Sequence, residues 1–383
     1  MKVADRLLTV KEYYFSKKLR EVKQLIAEGK PIINMGIGSP DLPPPPAAVE
    51  HLQSVLGAPS AHQYQSYQGL PELRTAMTDF YESRFGVKLD ANKEILPLIG
   101  SKEGIMHISM AFLNPGDGVL VPNPGYPTYT SVAKLLDARM IPYNLTEKNG
   151  WLPDLEEIAA MDLTDVKIMW ISYPNMPTGA TIDVAKMEDL VAFAKKNEIL
   201  LVNDNPYSFV LNDNPTSILQ VPGAKEVALE LNSLSKTFNM AGWRVGMVMG
   251  SAEHILAVLK VKSNMDSGMF YGIQQGAIAA LKSADEWYSN LDAVYAERRK
   301  LMFQLVEKLG CICDKNTAGM FVWAKLPLSA PPAEEFIDAV LHKHHIFIAP
   351  GTIFGSNGEG YIRFSLCVKK EKIKEAIQRF DRK

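Results

Sequence analysis

Short apolar runs alternate with longer amphipathic stretches through the middle of the chain, and this alternation limits the fold more than any other feature. The runs cover residues 119–122, 167–172, 199–203, 227–231 and 245–250. Each run is short enough to be a buried strand, and the stretches between them are long enough for helices with one apolar face. The pattern predicts an α/β protein with a mostly parallel sheet covered by helices.

Three of the amphipathic stretches carry recognisable helix starts. Proline suits the first helical position, and serine or aspartate side chains accept hydrogen bonds from the N–H groups of the first turn. We therefore predict helices that begin next to Pro71, Ser101 and Asp183.

The order of elements changes after about residue 283. A long helical stretch, 285–309, comes before apolar strands near 320–326 and 361–367 and a basic helix. A chain of 383 residues exceeds the size at which a single core keeps growing. The predicted division is a large domain, 47–283, and a smaller α+β domain, 1–46 with 284–383.

Composition argues against several kinds of partner. Charged residues make up 22% of the chain and the formal net charge is -2, so no basic surface for nucleic acid or for an anionic membrane is expected. We find no signal-peptide pattern and no transmembrane run. Cys311 and Cys313 are too close for an easy disulfide and Cys367 is distant, which favours a reducing, cytoplasmic setting.

The most informative segment is SLSKTFNMAGWRVG, residues 233–246. An isolated lysine is usually a solvated surface residue, but Lys236 follows an apolar run and precedes another. It is therefore expected in a connection at one end of the sheet, where α/β proteins bind ligands. Ser233, Ser235 and Arg244 supply hydroxyl donors and a forked cation, which suit one phosphate group. The glycines of a Walker-type loop are absent.

Four further segments have ordinary structural explanations when each is taken alone. Asp204 to Tyr207 (DNPY) could be a turn that ends a strand, and GSK at 100–102 could be a helix cap. Tyr126 could be packing in a loop. Arg363 lies among apolar neighbours in YIRFS, where either an internal salt bridge or a ligand carboxylate is expected to compensate it.

Taken together and in this order, the segments resemble the class I/II, fold-type I, pyridoxal-phosphate-dependent aminotransferases. The similarity extends from Gly36 to Arg363 and is nearest to the LL-diaminopimelate, alanine and aspartate aminotransferase branches. It implies a large domain with a mostly parallel seven-stranded sheet, a smaller α+β domain and pyridoxal 5'-phosphate as the cofactor.

The resemblance also implies a role for each candidate residue. Lys236 would carry the cofactor as a Schiff base, Asp204 would pair with the ring nitrogen, and Tyr207 would donate to the phenolic oxygen. Arg363 and Gly38, the latter in GIGSPD, would contact the substrate carboxylate. The other positions matched to cofactor-binding residues are Gly100, Ser101, Lys102, Tyr126, Asn175, Ser233, Ser235 and Arg244.

Tyr64 matches a family tyrosine that reaches the cofactor phosphate of the neighbouring subunit. Its segment, YQSYQGLPELR, places Gly69 five residues later, as in family members. The resemblance therefore implies a homodimer with shared active sites and isologous contacts.

One position departs from the family pattern. YPNMPTGA has Met176 where the family usually has a second asparagine, which donates to the phenolic oxygen of the cofactor. A thioether cannot donate a hydrogen bond. Either Asn175 takes this role or Tyr207 is left as the chief donor; we predict the second, because neighbouring residues in an extended segment point in opposite directions.

The implied reaction moves an amino group from an L-amino acid to a 2-oxo acid by a ping-pong mechanism. Two alternatives stay open: a β-eliminating lyase on the same fold, and a catalytically silent ligand-binding homologue. The donor and acceptor are not determined, although Tyr13 and Tyr14 are candidates to line the pocket. No metal site is predicted, since His342, His344 and His345 are interpreted as a solvated helix end.

Overall fold

The computed structural model describes residues 2–8 and 14–381. Its strands, in chain order, are β1 Ile33–Asn34, β2 Ile95–Leu98, β3 Gly118–Asn123, β4 Arg139–Asn144, β5 Val166–Ile171, β6 Leu200–Asp204, β7 Ala228–Ser233, β8 Gly246–Met249, β9 Ile312–Cys313, β10 Phe321–Lys325, β11 Ile346–Phe347, β12 Ala349–Pro350 and β13 Tyr361–Ser365. The α-helices are α1 Tyr14–Ala27, α2 Pro46–Val55, α3 Pro71–Phe85, α4 Ser101–Phe112, α5 Pro127–Leu135, α6 Leu155–Ala159, α7 Val184–Lys196, α8 Leu234–Thr237, α9 Ala252–Lys262, α10 Tyr271–Leu281, α11 Asp285–Lys308, α12 Ala333–His344 and α13 Lys370–Asp381.

The helix predictions are confirmed, with one correction. Asp183 caps α7 by accepting a hydrogen bond from Lys186 N, and Pro71 opens α3. However, α4 begins at Ser101 itself. The cap is Gly100, whose φ of 85° is a conformation that glycine adopts without a steric penalty.

A seven-stranded sheet in the order β2-β8-β7-β6-β5-β3-β4 forms the centre of the fold. Its strands pair in parallel except for β8, which is antiparallel to both β2 and β7. The predicted mostly parallel sheet is thus confirmed. Because β5, β6 and β7 are parallel, their carboxyl ends meet at one edge of the sheet.

Two smaller sheets come from the beginning and the end of the chain. The strands β12, β13, β10 and β9 form an antiparallel sheet, and β1 pairs in parallel with β11. The pairing of β1 with β11 joins the N-terminal segment to the C-terminal part. The division at residues 46/47 and 283/284 stays a prediction.

Buried apolar residues cover both faces of the large sheet and also fill the space beneath the four-stranded sheet. The alternation of β10 directs Phe321 and Trp323 to one face of its sheet, where Trp323 is in register with Arg363 of β13. This register places Arg363 and Phe321 side by side, facing the edge of the large sheet where β6 and β7 end.

The histidines at the end of α12 are only partly as expected. His342 is exposed and pairs with Glu21 at 3.2 Å. His344 is half-buried and stacks on Phe380, with ring centroids 4.0 Å apart, so this helix end is only partly solvated. The sequence pattern missed this contact because it depends on how α13 packs against α12.

No helix in the described ranges is both long enough and apolar enough to cross a membrane.

Candidate active site

A cavity of about 550 Å³ lies at the edge of the large sheet where β6 and β7 end, and it reaches the face of the four-stranded sheet. Most of the candidate residues line it. They are Gly38, Ser101, Lys102, Tyr126, Asp204, Tyr207, Ser233, Ser235, Lys236, Arg244 and Arg363. Segments separated by more than three hundred positions in the chain therefore meet in one cavity.

Lys236 lies on α8, the short helix that follows β7 directly. Ser233 caps this helix by accepting from Ser235 N at 3.1 Å. The ammonium group, Nζ, donates to the carbonyl oxygen of Gly38 at 2.7 Å. Burial lowers the pKa of Lys236, and the charges of Arg363 and Arg244 lower it further. A lowered pKa increases the fraction of neutral amine, which is the nucleophilic form.

Asp204 is the last residue of β6 and is buried. Its Oδ2 accepts a hydrogen bond from Tyr129 Oη at 2.8 Å, whereas Oδ1 is buried and has no hydrogen-bond partner among the described residues. Burial raises the pKa of Asp204 to about 6, although the bond from Tyr129 opposes the rise. A buried carboxylate oxygen that lacks a hydrogen-bond partner is suited to a protonated ring nitrogen, which would supply both a donor and a positive charge.

Two tyrosines bring aromatic surface and hydroxyl groups to the cavity. The Tyr126 ring meets the Tyr129 ring edge to face, with centroids 5.6 Å apart, and the Tyr207 ring meets Phe321 in the same way at 5.6 Å. Burial raises the pKa of both Tyr126 and Tyr207, so their hydroxyl groups stay protonated and can donate.

A polar cradle, formed by Ser101, Ser233, Ser235 and Arg244, lies at the start of α4. A Cβ atom on Gly100 would overlap the guanidinium group of Arg244, and one on Gly246 would overlap Ser101 N, so both glycines permit a close backbone approach. Ser233 Oγ donates to Ser235 Oγ at 2.9 Å beside this helix end. N–H groups at a helix N-terminus, hydroxyls and a guanidinium group together suit a phosphate. The residues present therefore fit a phosphorylated pyridine cofactor.

Arg363 is held on the opposite side of the cavity and is 5% exposed. Its guanidinium carbon lies 4.0 Å from the ring centroid of Phe321 and 4.6 Å from that of Phe354. Nη2 donates to Gly36 O at 2.8 Å and Nη1 to Met176 Sδ at 3.1 Å. A guanidinium group fixed in this way can bind a carboxylate through two hydrogen bonds.

Three candidates do not line the cavity. Gly100 lies behind the Arg244 guanidinium group, and Tyr64 is 90% exposed on a loop away from the cavity. Asn175 is turned toward Thr178, from whose Oγ1 it accepts at 2.8 Å, while Met176 lines the cavity in its place. The expected cofactor contacts of Asn175 and Tyr64 stay predictions.

The structure adds residues that sequence reasoning missed. Tyr129 holds Asp204 and stacks on Trp170 with ring centroids 4.9 Å apart. Its position three residues after Tyr126 at a helix start was a signal that could have found it. Phe321 and Phe354 gave no local signal, because strand pairing brings Phe321 to Arg363 and the helical turn 351–354 after β12 brings Phe354. Of the two tyrosines considered for the pocket, Tyr13 and the side chain of Tyr14 lie outside the described residues.

Fold and cavity together define an α/β protein in which a lysine amine, a polar cradle at a helix N-terminus and a further guanidinium group, that of Arg363, share one cavity. A family model described as aminotransferase class I and II matches residues 30–380. The chain is 41% identical to LL-diaminopimelate aminotransferase of Nitratidesulfovibrio vulgaris, covering 99% of this chain and 98% of that protein. It is 42% identical to the enzyme of the same name from Aquifex aeolicus, covering 98% and 97%.

A solved structure has the same fold. The substrate-bound structure of BacF from Bacillus subtilis superposes with a TM-score of 0.93 at 38% identity and covers 99% of this chain and 97% of that one. The chain belongs to the class I and II aminotransferase family. It is a pyridoxal-phosphate-dependent aminotransferase, and the matches favour neither the lyase nor the silent-homologue alternative.

Proposed function

We propose that Lys236 holds the cofactor and moves the proton in a ping-pong transfer of an amino group from an L-amino acid to a 2-oxo acid. One observation carries this proposal. A half-buried lysine, Lys236, shares one cavity with a buried carboxylate, Asp204, and with two guanidinium groups, those of Arg244 and Arg363. These are the charges needed around a phosphorylated pyridine ring that is bound next to a substrate carboxylate.

Residues at two ends of the cavity would hold different parts of the cofactor. The phosphate is assigned to Ser101, Ser233, Ser235 and Arg244 at the start of α4, and the ring nitrogen to Asp204. Bound pyridoxal phosphate supplies an aldehyde that takes up the amino group and a protonated ring that accepts electrons when the substrate loses its Cα proton. The role of Tyr207 is to donate to the phenolic oxygen.

Two residues act on the substrate itself. Arg363 binds the α-carboxylate and fixes the orientation of the Cα–H bond. Lys236, whose lowered pKa favours the neutral amine, takes the Cα proton and returns a proton during the second half of the reaction. Gly38 O lies 2.7 Å from Lys236 Nζ and limits where the amine can point.

The proposed amino donor has a second carboxylate, and LL-diaminopimelate is the first compound to test. Relatives at 41% and 42% identity carry that name. Lys102 lines the cavity with an exposed side chain, and we assign its ammonium group to the distal carboxylate in place of the cofactor contact that the resemblance implied. The acceptors to test are 2-oxoglutarate and pyruvate.

The proposed active form is a cytoplasmic homodimer. Tyr64, Tyr67 and Phe270 leave aromatic surface exposed on neighbouring loops, which supports an interface there. The three cysteines are free, which supports a reducing compartment.

The test begins with Lys236→Ala beside Lys225→Ala, a matched control on the surface. On addition of pyridoxal phosphate, the wild type and the control should develop the absorption band of the lysine-bound cofactor, and Lys236→Ala should not. Amino transfer from LL-diaminopimelate to 2-oxoglutarate should be lost with the band. Retention of the band in Lys236→Ala would contradict the lysine assignment, and pyruvate and ammonia formed without any acceptor would favour the lyase.

A further inference from the structure

His107 is a buried polar residue of α4 that the reaction does not use. It is 3% exposed, and neither ring nitrogen has a hydrogen-bond partner among the described residues. Its Nε2 lies 3.6 Å from Glu103 Oε1, and one ring nitrogen lies within 4.8 Å of a carboxylate oxygen of both Glu103 and Asp266. A polar ring is costly to bury without polar partners, and here two carboxylates face it.

Glu103 connects His107 to the phosphate cradle. Its Oε1 accepts a hydrogen bond from Ile99 N at 2.7 Å, just before Gly100 and the first turn of α4. The position of this carboxylate therefore helps to set the turn that presents Ser101 N toward the cradle.

Asp266 connects His107 to a different part of the molecule. It accepts from Lys262 Nζ at 2.9 Å and from Gly268 N at 2.8 Å, and Lys262 Nζ also donates to Tyr67 O at 3.0 Å. A Cβ atom on Gly268 would overlap Gln65 O, so the two loops are packed closely. These contacts hold the loop that carries the exposed Tyr64.

A metal ion is an unfavourable occupant for these three groups. Lys262 is 2% exposed, and its ammonium group already pairs with Asp266 Oδ2 at 2.8 Å. A divalent cation on the same carboxylate would be repelled by that ammonium in a buried, weakly screened site. The histidine itself is the group available to join the two carboxylates.

We propose that His107 is a positioning residue that joins Glu103 to Asp266 and so ties the phosphate cradle to the loop of Tyr64. This inference rests on the proposed function in one respect, namely that the cradle at the start of α4 binds the cofactor phosphate. Through this connection, the loop exposed at the proposed subunit interface helps to retain the cofactor.

The test measures cofactor release from the reconstituted holoenzyme as loss of its visible band after dilution. His107→Leu removes both ring nitrogens, His107→Gln keeps an N–H donor, and His254→Leu is the matched control. His254 packs on Phe112 at the contact of α4 with α9, away from the cavity. His107→Leu should release the cofactor about tenfold faster, because it leaves the two carboxylates without the polar ring that faces them. His107→Gln should restore most of the retention, and His254→Leu should match the wild type.

Three results would overturn the inference: unchanged release in His107→Leu, equal release in the Leu and Gln variants, or an equal effect in His254→Leu. If His107→Leu does not fold, a double-mutant cycle of His107→Gln and Asp266→Asn measures the same connection through cofactor release. Strongly non-additive effects on release support the connection, and additive effects contradict it. A wild type that never develops the band would contradict the proposed function instead, because the release assay would then have no signal.

Discussion

Met176 accepts a hydrogen bond from Arg363 of the cavity: Arg363 Nη1 lies 3.1 Å from Met176 Sδ. By the resemblance, this is the position of the family's second asparagine, which would donate to the cofactor. In this chain the position therefore stabilises the guanidinium group as an acceptor and offers no donor to the phenolic oxygen.

Met176→Asn should lower the pH midpoint of the visible band of the bound cofactor. The new amide can donate to the phenolate form, which stabilises the deprotonated state of the chromophore. The measurement is a spectrophotometric pH titration, with Met176→Leu as a control that has similar volume and no donor. An unchanged midpoint in Met176→Asn would rule out a missing donor as a determinant of this pKa.

Asp204→Asn should stabilise the cofactor-free protein at pH 7.5 and leave its stability unchanged at pH 4. The pKa of Asp204 is raised from 3.8 to about 6, so the folded state keeps its proton between these values while the unfolded state has lost it. Stability therefore falls as pH rises from about 4 to 6, by up to about 3 kcal/mol. Asparagine has no proton to lose in this pH range, so the variant avoids this decrease in stability.

Urea unfolding of the cofactor-free proteins at the two pH values checks this expectation. Asp183→Asn is the matched control, because Asp183 is an exposed helix cap and asparagine caps equally well. With pyridoxal phosphate bound, the order of stability at pH 7.5 should reverse, because Asp204→Asn cannot compensate the positive charge of the ring nitrogen. Equal stability of the cofactor-free wild type and Asp204→Asn at pH 7.5 would contradict the raised pKa.

Gly100→Ala should weaken the binding of pyridoxal phosphate by about tenfold, because the new methyl group would displace the Arg244 guanidinium group from the cradle. Gly116→Ala is the control. Gly116 has a similar φ of 90° but nothing within 4 Å of the added Cβ, so both variants should lose about 1 kcal/mol of folding stability. Equilibrium titration of the cofactor separates the two effects, and equal affinities in the two variants would refute the steric cause.

Mixed dimers should recover activity from two inactive parents if Tyr64 serves the neighbouring site. Subunits carrying Tyr64→Ala are mixed with subunits carrying Lys236→Ala, dissociated and reassociated. One of the two sites in each mixed dimer then has both intact residues, so about a quarter of the wild-type activity should return, since half of the dimers are mixed. Activity no higher than the sum of the parents would show that Tyr64 does not act across an interface.

The order of local patterns in the sequence was sufficient for the family, the sheet and most of the cavity. Short apolar runs, helix starts and the segments around Asp204, Lys236 and Arg363 carry their information within a few residues. Such short-range patterns survive without any knowledge of the fold, because they depend on backbone geometry and side-chain chemistry. Placement of the exposed Tyr64 at a neighbouring site still depends on the resemblance.

Only the tertiary structure decided how residues distant in sequence meet. Strand register brings Trp323 opposite Arg363 and, through the alternation of β10, sets Phe321 against its guanidinium group. Folding also turns Met176 toward Arg363, sets Tyr129 against Asp204 and buries His107 between two carboxylates. The sequence by itself determined which chemical groups this protein has, whereas their pairings, and hence their pKa values, follow from packing between elements that no local pattern specifies.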